Sequence, residues 1–174
     1  MSEDDAALTK LEFGSYYDLD LKQDEGKWLY THHIAENTFK IISLMKYGQL
    51  TIYVNETDLS RATFKDIREN NIKLSEFKFK TSYKNTLLVK PGEDGFCSDC
   101  HYLIYVQADR DTKTTIFLGS ESTKVSLHKD KILFDELHTE NTTTLATFTP
   151  VSAGDIMVKV HAGTIQVELS YRED

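Results

Sequence analysis

Apolar and polar residues alternate, stretch after stretch, along most of this chain. Successive side chains of a β-strand point to opposite faces, so a two-residue period commits a sequence to half-buried strands. "YYDLDLK" places Tyr17, Leu19 and Leu21 on one face. "KWLYTHHI" sets Trp28, Tyr30 and His32 against Leu29 and Thr31, and in "QLTIYV" Leu50, Ile52 and Val54 share a side. "FKIISLMKYG", "KLSEFKFKTS" (Phe77 and Phe79 alternating with lysines), "NTLLVKPG" and "HYLIYVQA" continue the series. Beyond Asp111 come "TTIFLG", "TKVSLHKD", "TTLATFTP", "DIMVKVHAG" and "TIQVELSY".

Glycine- and charge-containing stretches predict turns at "DEGK", "KYGQ", "KPGEDG", "ADRD" and "HAGT". Helical spacing shows only in "DLSRATFKDIRENN", where Leu59, Thr63 and Ile67 fall four apart. With 174 residues, 40% of them hydrophobic, the chain is long enough to bury a real core. Many short strands with closely spaced turns predict an all-β fold, a β-sandwich or a barrel, with an antiparallel β-sandwich of jelly-roll-like form the expected one.

An internal echo bears on domain organisation. "KIISLMKYGQLTIYV" (40–54) aligns without gaps on "DIMVKVHAGTIQVEL" (155–169), with Gly48 against Gly163 and Leu50, Ile52 and Val54 against Ile165, Val167 and Leu169. If the echo marks a repeat, 8–108 is one full β-sandwich module and 114–174 a second, related or partial one. Gly48 and Gly163 should then occupy matching hairpin turns, where a positive φ suits glycine.

The first hundred residues carry a leading L-x-x-G (Leu11 to Gly14), then Leu19 and Leu21, the aromatic strand Trp28–Tyr30, "ISLMKYGQLTIYV", and a closing "CHYLIYVQA". This pattern resembles the bacterial pre-peptidase C-terminal type of β-sandwich. It is most similar to the tandem versions in large protozoan surface proteins, where a closing strand of the form C-x-x-C-x-Y-x-I-x-V recurs. The resemblance implies a non-catalytic accessory module, a spacer or adhesion unit of a cell-surface or secreted protein. Its partners would be neighbouring modules or other cell-surface proteins. The bacterial modules often carry an acidic residue in the turn that matches Gly48–Gln49, and this sequence does not, which puts their metal and ligand properties in doubt here. The alternative function, from a different class, is a carbohydrate- or calcium-dependent ligand-binding module, which aromatic side chains on a sheet face would support.

Charge excludes some partners. The net charge is −8, and lysines and arginines are scattered rather than clustered, so the phosphate-neutralising patch that nucleic acids require is missing. No apolar run reaches the roughly 20 residues of a membrane-spanning helix. The start, "MSEDDAALTK", has neither the basic end nor the apolar stretch of a signal peptide. It fits a cytosolic protein or a piece of an extracellular one.

The chain's two cysteines, Cys97 and Cys100, stand as C-x-x-C with His101 next. Formally this is a haem c attachment pattern, but the residues that follow read as strand. A zinc site wants about four ligands and no second pair exists, so no metal site is assigned. A thioredoxin-like pair needs a helix behind its first cysteine. A disulfide clipping the turn before the closing strand fits the turn-rich surroundings and an oxidising compartment, with reduced, inert thiols as the alternative. Tyr102, Ile104 and Val106 should then face the core, with Leu103 and Tyr105 opposite.

His32 and His33 are neighbours on a strand and should point apart, and His128, His138 and His161 are isolated. Acidic pairs at Asp18/Asp20, Glu93/Asp94 and Asp109/Asp111 read as solvated turns, with calcium the one cofactor they leave room for. No G-x-S-x-G elbow and no glycine-rich phosphate loop occurs, and no carboxylate pair is singled out, so no enzyme activity is assigned. Two glycosylation sequons begin at Asn55 and Asn141, both at predicted turns.

Overall fold

The computed structural model describes residues 8–34, 36–57, 73–82, 86–120, 125–127, 132–133, 146–148 and 167–168. They form ten strands: β1 (Thr9–Lys10), β2 (Tyr16–Leu21), β3 (Gly26–Ile34), β4 (Phe39–Thr57), β5 (Phe79–Ser82), β6 (Thr86–Val89), β7 (Asp99–Ser120), β8 (Val125–Leu127), β9 (Ile132–Leu133) and β10 (Ala146–Phe148). A 3₁₀ turn, Leu74–Glu76, precedes β5. The helical pattern read over "DLSRATFKDIRENN" lies outside the described residues, as do Gly163 and the rest of the echo segment but for 167 and 168.

Two strands dominate. β4 has 19 residues and β7 has 22, and they pair antiparallel from Phe39↔Ser120 to Thr57↔His101. The first half of β7 is flanked by β3 and by the second half of β4, with β1 and β5 outside them. The second half of β7 is flanked by β2 and by the first half of β4, which β6 and β9 border on its far side. The sheet is therefore continuous but bent, and its two halves close on one another as the two layers of a β-sandwich. Strands that pass from layer to layer through bulges are a known way of making such a corner. The pairings in this sheet are antiparallel except β1 with β3, and a separate two-stranded pair, β8 with β10, is also parallel.

Packing confirms the closure. One core cluster draws Leu29, Ile52, Ile104 and Val106 from the first layer and Leu19, Ile41, Ile116 and Leu118 from the second. The alternate residues form separate clusters on the two outer faces. Phe77 and Leu103 lie on the first layer with Trp28 and Tyr53 against them, and Ile42, Leu44 and Phe117 lie on the second. The period of two thus assigned faces correctly along β2, β3, the second half of β4 and the first half of β7. Tyr102, Ile104 and Val106 are wholly buried in the shared core, while Leu103 and Tyr105 face away from it. Buried hydroxyls within the second layer are satisfied across strands. Ser43 bonds Thr114, whose Oγ1 also donates to the Leu44 carbonyl at 3.0 Å.

Three expectations change. The turn predicted at "KYGQ" and the turn predicted at "ADRD" are not reversals: both lie inside long strands, opposite each other, at the corner. The pairing shifts register between Met45 and Tyr47, Tyr47 and Gln49, and Gln49 and Leu50, and these irregularities bend the strands without ending them. Gly48 has the expected positive φ, +106°, but in this bulge rather than in a hairpin turn. β7 itself runs without a break from Asp99 to Ser120. Finally, Phe77 and Phe79 do not share a face. Phe77 still caps the 3₁₀ turn, its N–H bonded to the Leu74 carbonyl, and packs outside, whereas Phe79 has entered β5 and packs in the core.

Candidate functional site

The chemistry-bearing residues of "FCSDCHYLIYV" gather where β7 begins. The turn before it is held by local bonds. The Lys90 N–H donates to the Glu93 carboxylate at 3.0 Å, and the Phe96 N–H to the Glu93 carbonyl at 3.0 Å. Gly92 and Gly95 supply positive φ values of +84° and +93°. Tyr102 then ties the turn to the core. Its buried hydroxyl accepts from the Cys97 N–H at 2.6 Å and lies 3.3 Å from the carbonyls of both Gly95 and Cys97. A core tyrosine whose hydroxyl bonds back to upstream backbone is the device called a tyrosine corner in immunoglobulin-like sandwiches. Burial pushes this phenol upward from its ordinary pKa, so it is a fixed neutral hydrogen-bonding group.

Cys97 and Cys100 are free thiols in this structure, without the disulfide bond predicted from sequence. Cys100 is turned towards Cys97, its Sγ 3.5 Å from the Cys97 carbonyl oxygen, and it packs on the shared core. Burial, then its contact with Cys97, pushes the Cys100 thiol up to about 12. Nucleophilic and redox-active cysteines need the opposite, a stabilised thiolate. No described helix stands behind Cys97. The haem pattern fails on geometry as well. His101 follows Cys100 on a strand and so faces the other way, where its ring stacks on His32 at 4.4 Å between centroids and 14° between planes. His32 in turn lies 2.9 Å from Asp99. His33, its neighbour, is buried among Phe39, Phe96 and Tyr102 with Nε2 3.2 Å from the Asn37 carbonyl, so the two histidines diverge as expected.

Glu56 completes the cluster and was not found by sequence reasoning. Its ladder partner is Tyr102, which places it diagonally across from Cys100 on the core-facing side at the end of β4. The ligand atoms of Glu56, Cys97 and Cys100 all lie within 4.8 Å of one another, the one such group among the described residues. An open cleft lined by Glu36, Glu56, Pro91, Gly92, Phe96, Cys97 and Ser98 adjoins them. The pairing that delivers Glu56 is long-range, and no local motif announces it.

The acidic pairs do not converge. Asp18 takes a hydrogen bond from Thr115, Asp109 takes one from Thr51 at 3.0 Å, and Asp111 takes one from the Gln23 N–H at 3.0 Å. Asp94 is paired with Lys78. Glu93/Asp94 and Asp109/Asp111 are separated by the first half of β7, ten residues or about 33 Å of extended chain. Asn55 lies in β4 rather than in a turn, and its Oδ1 accepts from the Lys78 N–H at 3.2 Å. Asn141, His128, His138 and His161 lie outside the described residues.

On the outer face of the first layer, Trp28, Tyr105 and Tyr53 stand level on β3, β7 and β4. Ring centroids are 4.4 Å apart for Trp28 and Tyr105 and 6.2 Å for Tyr105 and Tyr53. Lys80, opposite Tyr53 on β5, sets its ammonium 5.1 Å from that ring. Phe77 packs over the row, so these rings are half-buried.

No protein-family model matches the chain, and no curated protein matches it. Among solved structures it is similar to the pre-peptidase C-terminal domain of a collagenase from Bacillus anthracis, at 12% identity and a TM-score of 0.41, over 64% of this chain and 93% of that one. No helix among the described residues is long and apolar enough to cross a membrane.

Proposed function

We propose that the chain is a non-catalytic β-sandwich module of an extracellular or cell-surface protein, a spacer or adhesion unit that works against neighbouring modules. One observation carries this reading. The acidic pairs are engaged within the module rather than gathered at a site: Asp18 with Thr115, Asp109 with Thr51, Asp111 with Gln23, and Asp94 with Lys78. In the setting proposed, Cys97 and Cys100 would oxidise to a disulfide, and Asn55 and Asn141 would be open to glycosylation. Secreting the chain from eukaryotic cells behind a leader peptide tests this. The expected product is folded and secreted, about 2 Da lighter per molecule than the dithiol form once deglycosylated. Retention inside the cell as misfolded chain would sink the extracellular reading. Coated beads that fail to bind cells while tandem copies remain extended would select spacer over adhesion.

The level row Trp28, Tyr105 and Tyr53 favours a second reading, a carbohydrate-binding face, because aromatic rings aligned across a sheet suit the flat faces of sugar rings. A glycan that changes Trp28 fluorescence, with the response lost in Trp28→Ala, would support it. An unresponsive glycan panel would remove it.

A further inference from the structure

We propose that in the reduced chain Cys97, Cys100 and Glu56 bind one borderline-soft divalent cation of the zinc class, with its fourth coordination position open to the adjoining cleft. The three groups come from three places in the chain. Cys100 is on β7, Glu56 reaches it diagonally from the end of β4, and Cys97 is held above them by the Tyr102 hydroxyl. Their ligand atoms already lie within 4.8 Å of one another. Two sulfurs each about 2.3 Å from a tetrahedral zinc sit about 3.7 Å apart, so the side chains need close in by only about 1 Å. A disulfide would account for the two cysteines but not for a carboxylate beside both sulfurs.

Charge points the same way. In the bound state two thiolates and a carboxylate surround a double positive charge, and the two thiol protons leave to solvent. Two thiolates select a zinc-like ion over calcium, which prefers an all-oxygen set. Because thiol ligands bind as thiolates, cation binding releases protons and competes with them for the same sulfurs. The cation and the disulfide are exclusive occupants of the same sulfurs, so oxidation would expel the ion.

Titrating the full reduced chain with Co²⁺ under oxygen-free conditions tests the assignment. A thiolate-to-cobalt charge-transfer band should saturate at one equivalent and be abolished by Zn²⁺. Cys100→Ser should remove the band. Glu56→Gln, which keeps the Asn55 sequon, should leave circular dichroism unchanged and weaken Zn²⁺ binding about tenfold or more, the least expected for disturbing a metal site. The oxidised chain should bind no cobalt. The proposal is overturned if saturating Co²⁺ gives no band, if Glu56→Gln binds as tightly as the wild type, or if the oxidised chain binds equally well. None of these outcomes bears on whether the module is secreted and folded, so the two readings fail separately.

Discussion

Two kinds of charged, turn-like stretch look alike in this sequence and do opposite things. "KQDEG" (22–26) and "KPGEDG" (90–95) reverse the chain, carrying it from β2 to β3 and from β6 to β7, each time between layers. Both use the same reciprocal bonds. The Lys22 N–H donates to the Glu25 carboxylate at 2.8 Å while the Glu25 N–H donates back to the Lys22 carbonyl at 3.0 Å, and Lys90 and Glu93 repeat the pattern. The third residue has positive φ in each, +66° at Asp24 and +84° at Gly92, as in a type II turn. "KYGQ" and "ADRD" lack the Lys-x-x-Glu pair. Their polar groups reach across the ladder instead. The Gln49 N–H donates to Thr112 Oγ1 at 3.0 Å, and Arg110 donates to the Gln49 side chain at 2.6 Å. Each turn closes on itself with a local reciprocal pair, whereas the corner has no such pair and draws its bonds from the strand opposite and, through Ala108 and Asp111, from the turn at 22–26.

That contrast can be broken experimentally. Gly48→Ala should have the largest effect. A Cβ there would lie 2.5 Å from the Asp111 carbonyl oxygen and the Thr112 Cα, at a φ that alanine resists. We expect a loss of about 3 kcal/mol in urea unfolding, in one transition because both layers share the corner. A loss under about 1 kcal/mol would mean that the corner tolerates a hairpin-like rearrangement. Thr112→Val should cost about 1–3 kcal/mol by leaving the Gln49 N–H without its acceptor, read by the same unfolding curves. Gly92→Ala, a true turn position with open space around it, should cost only about 1 kcal/mol, and equality with Gly48→Ala would erase the distinction.

The smallest effect is a pH dependence. Asp111 is held below the usual aspartate pKa, first by the Gln23 N–H and then by the Lys22 charge. A carboxylate lowered in the folded state stabilises it fully above the unfolded value, near 3.8, and that contribution fades as pH falls through the lower folded value. The urea midpoints of wild type and Asp111→Asn should therefore differ above pH 3.8 and converge on acidification. A difference that grows at low pH would reverse the assignment.

Much of the fold was legible because a strand's faces are a local property. Leu19 and Leu21, Leu29 and Thr31, and Tyr102, Ile104 and Val106 needed only their neighbours in sequence to be placed. What escaped depends on partners far along the chain. Nothing local says that "KYGQ" will lie opposite "ADRD", nor that Glu56 will meet Cys100. The Tyr102 hydroxyl left a fainter signal: a tyrosine at a core position beside a turn must bury its hydroxyl and therefore needs a nearby backbone partner. The Lys-x-x-Glu spacing was readable and would have separated the real turns from the corner.

The central place of β7 also has a consequence in time. β2 finds its ladder partner in β7, as does β3 along its whole length, with only a two-residue pairing to β1 besides, and so does the longest edge of β4. About 40 residues separate the end of β4 from the start of β7. At a synthesis rate of roughly 5–20 residues per second, that is about 2–8 s during which these edges wait for β7 on the ribosome. β4 can meet β5 and β6 in that interval but cannot close the sandwich. A chain built this way folds late and all at once, and its yield in a cell depends on whatever shields β2, β3 and β4 until β7 arrives.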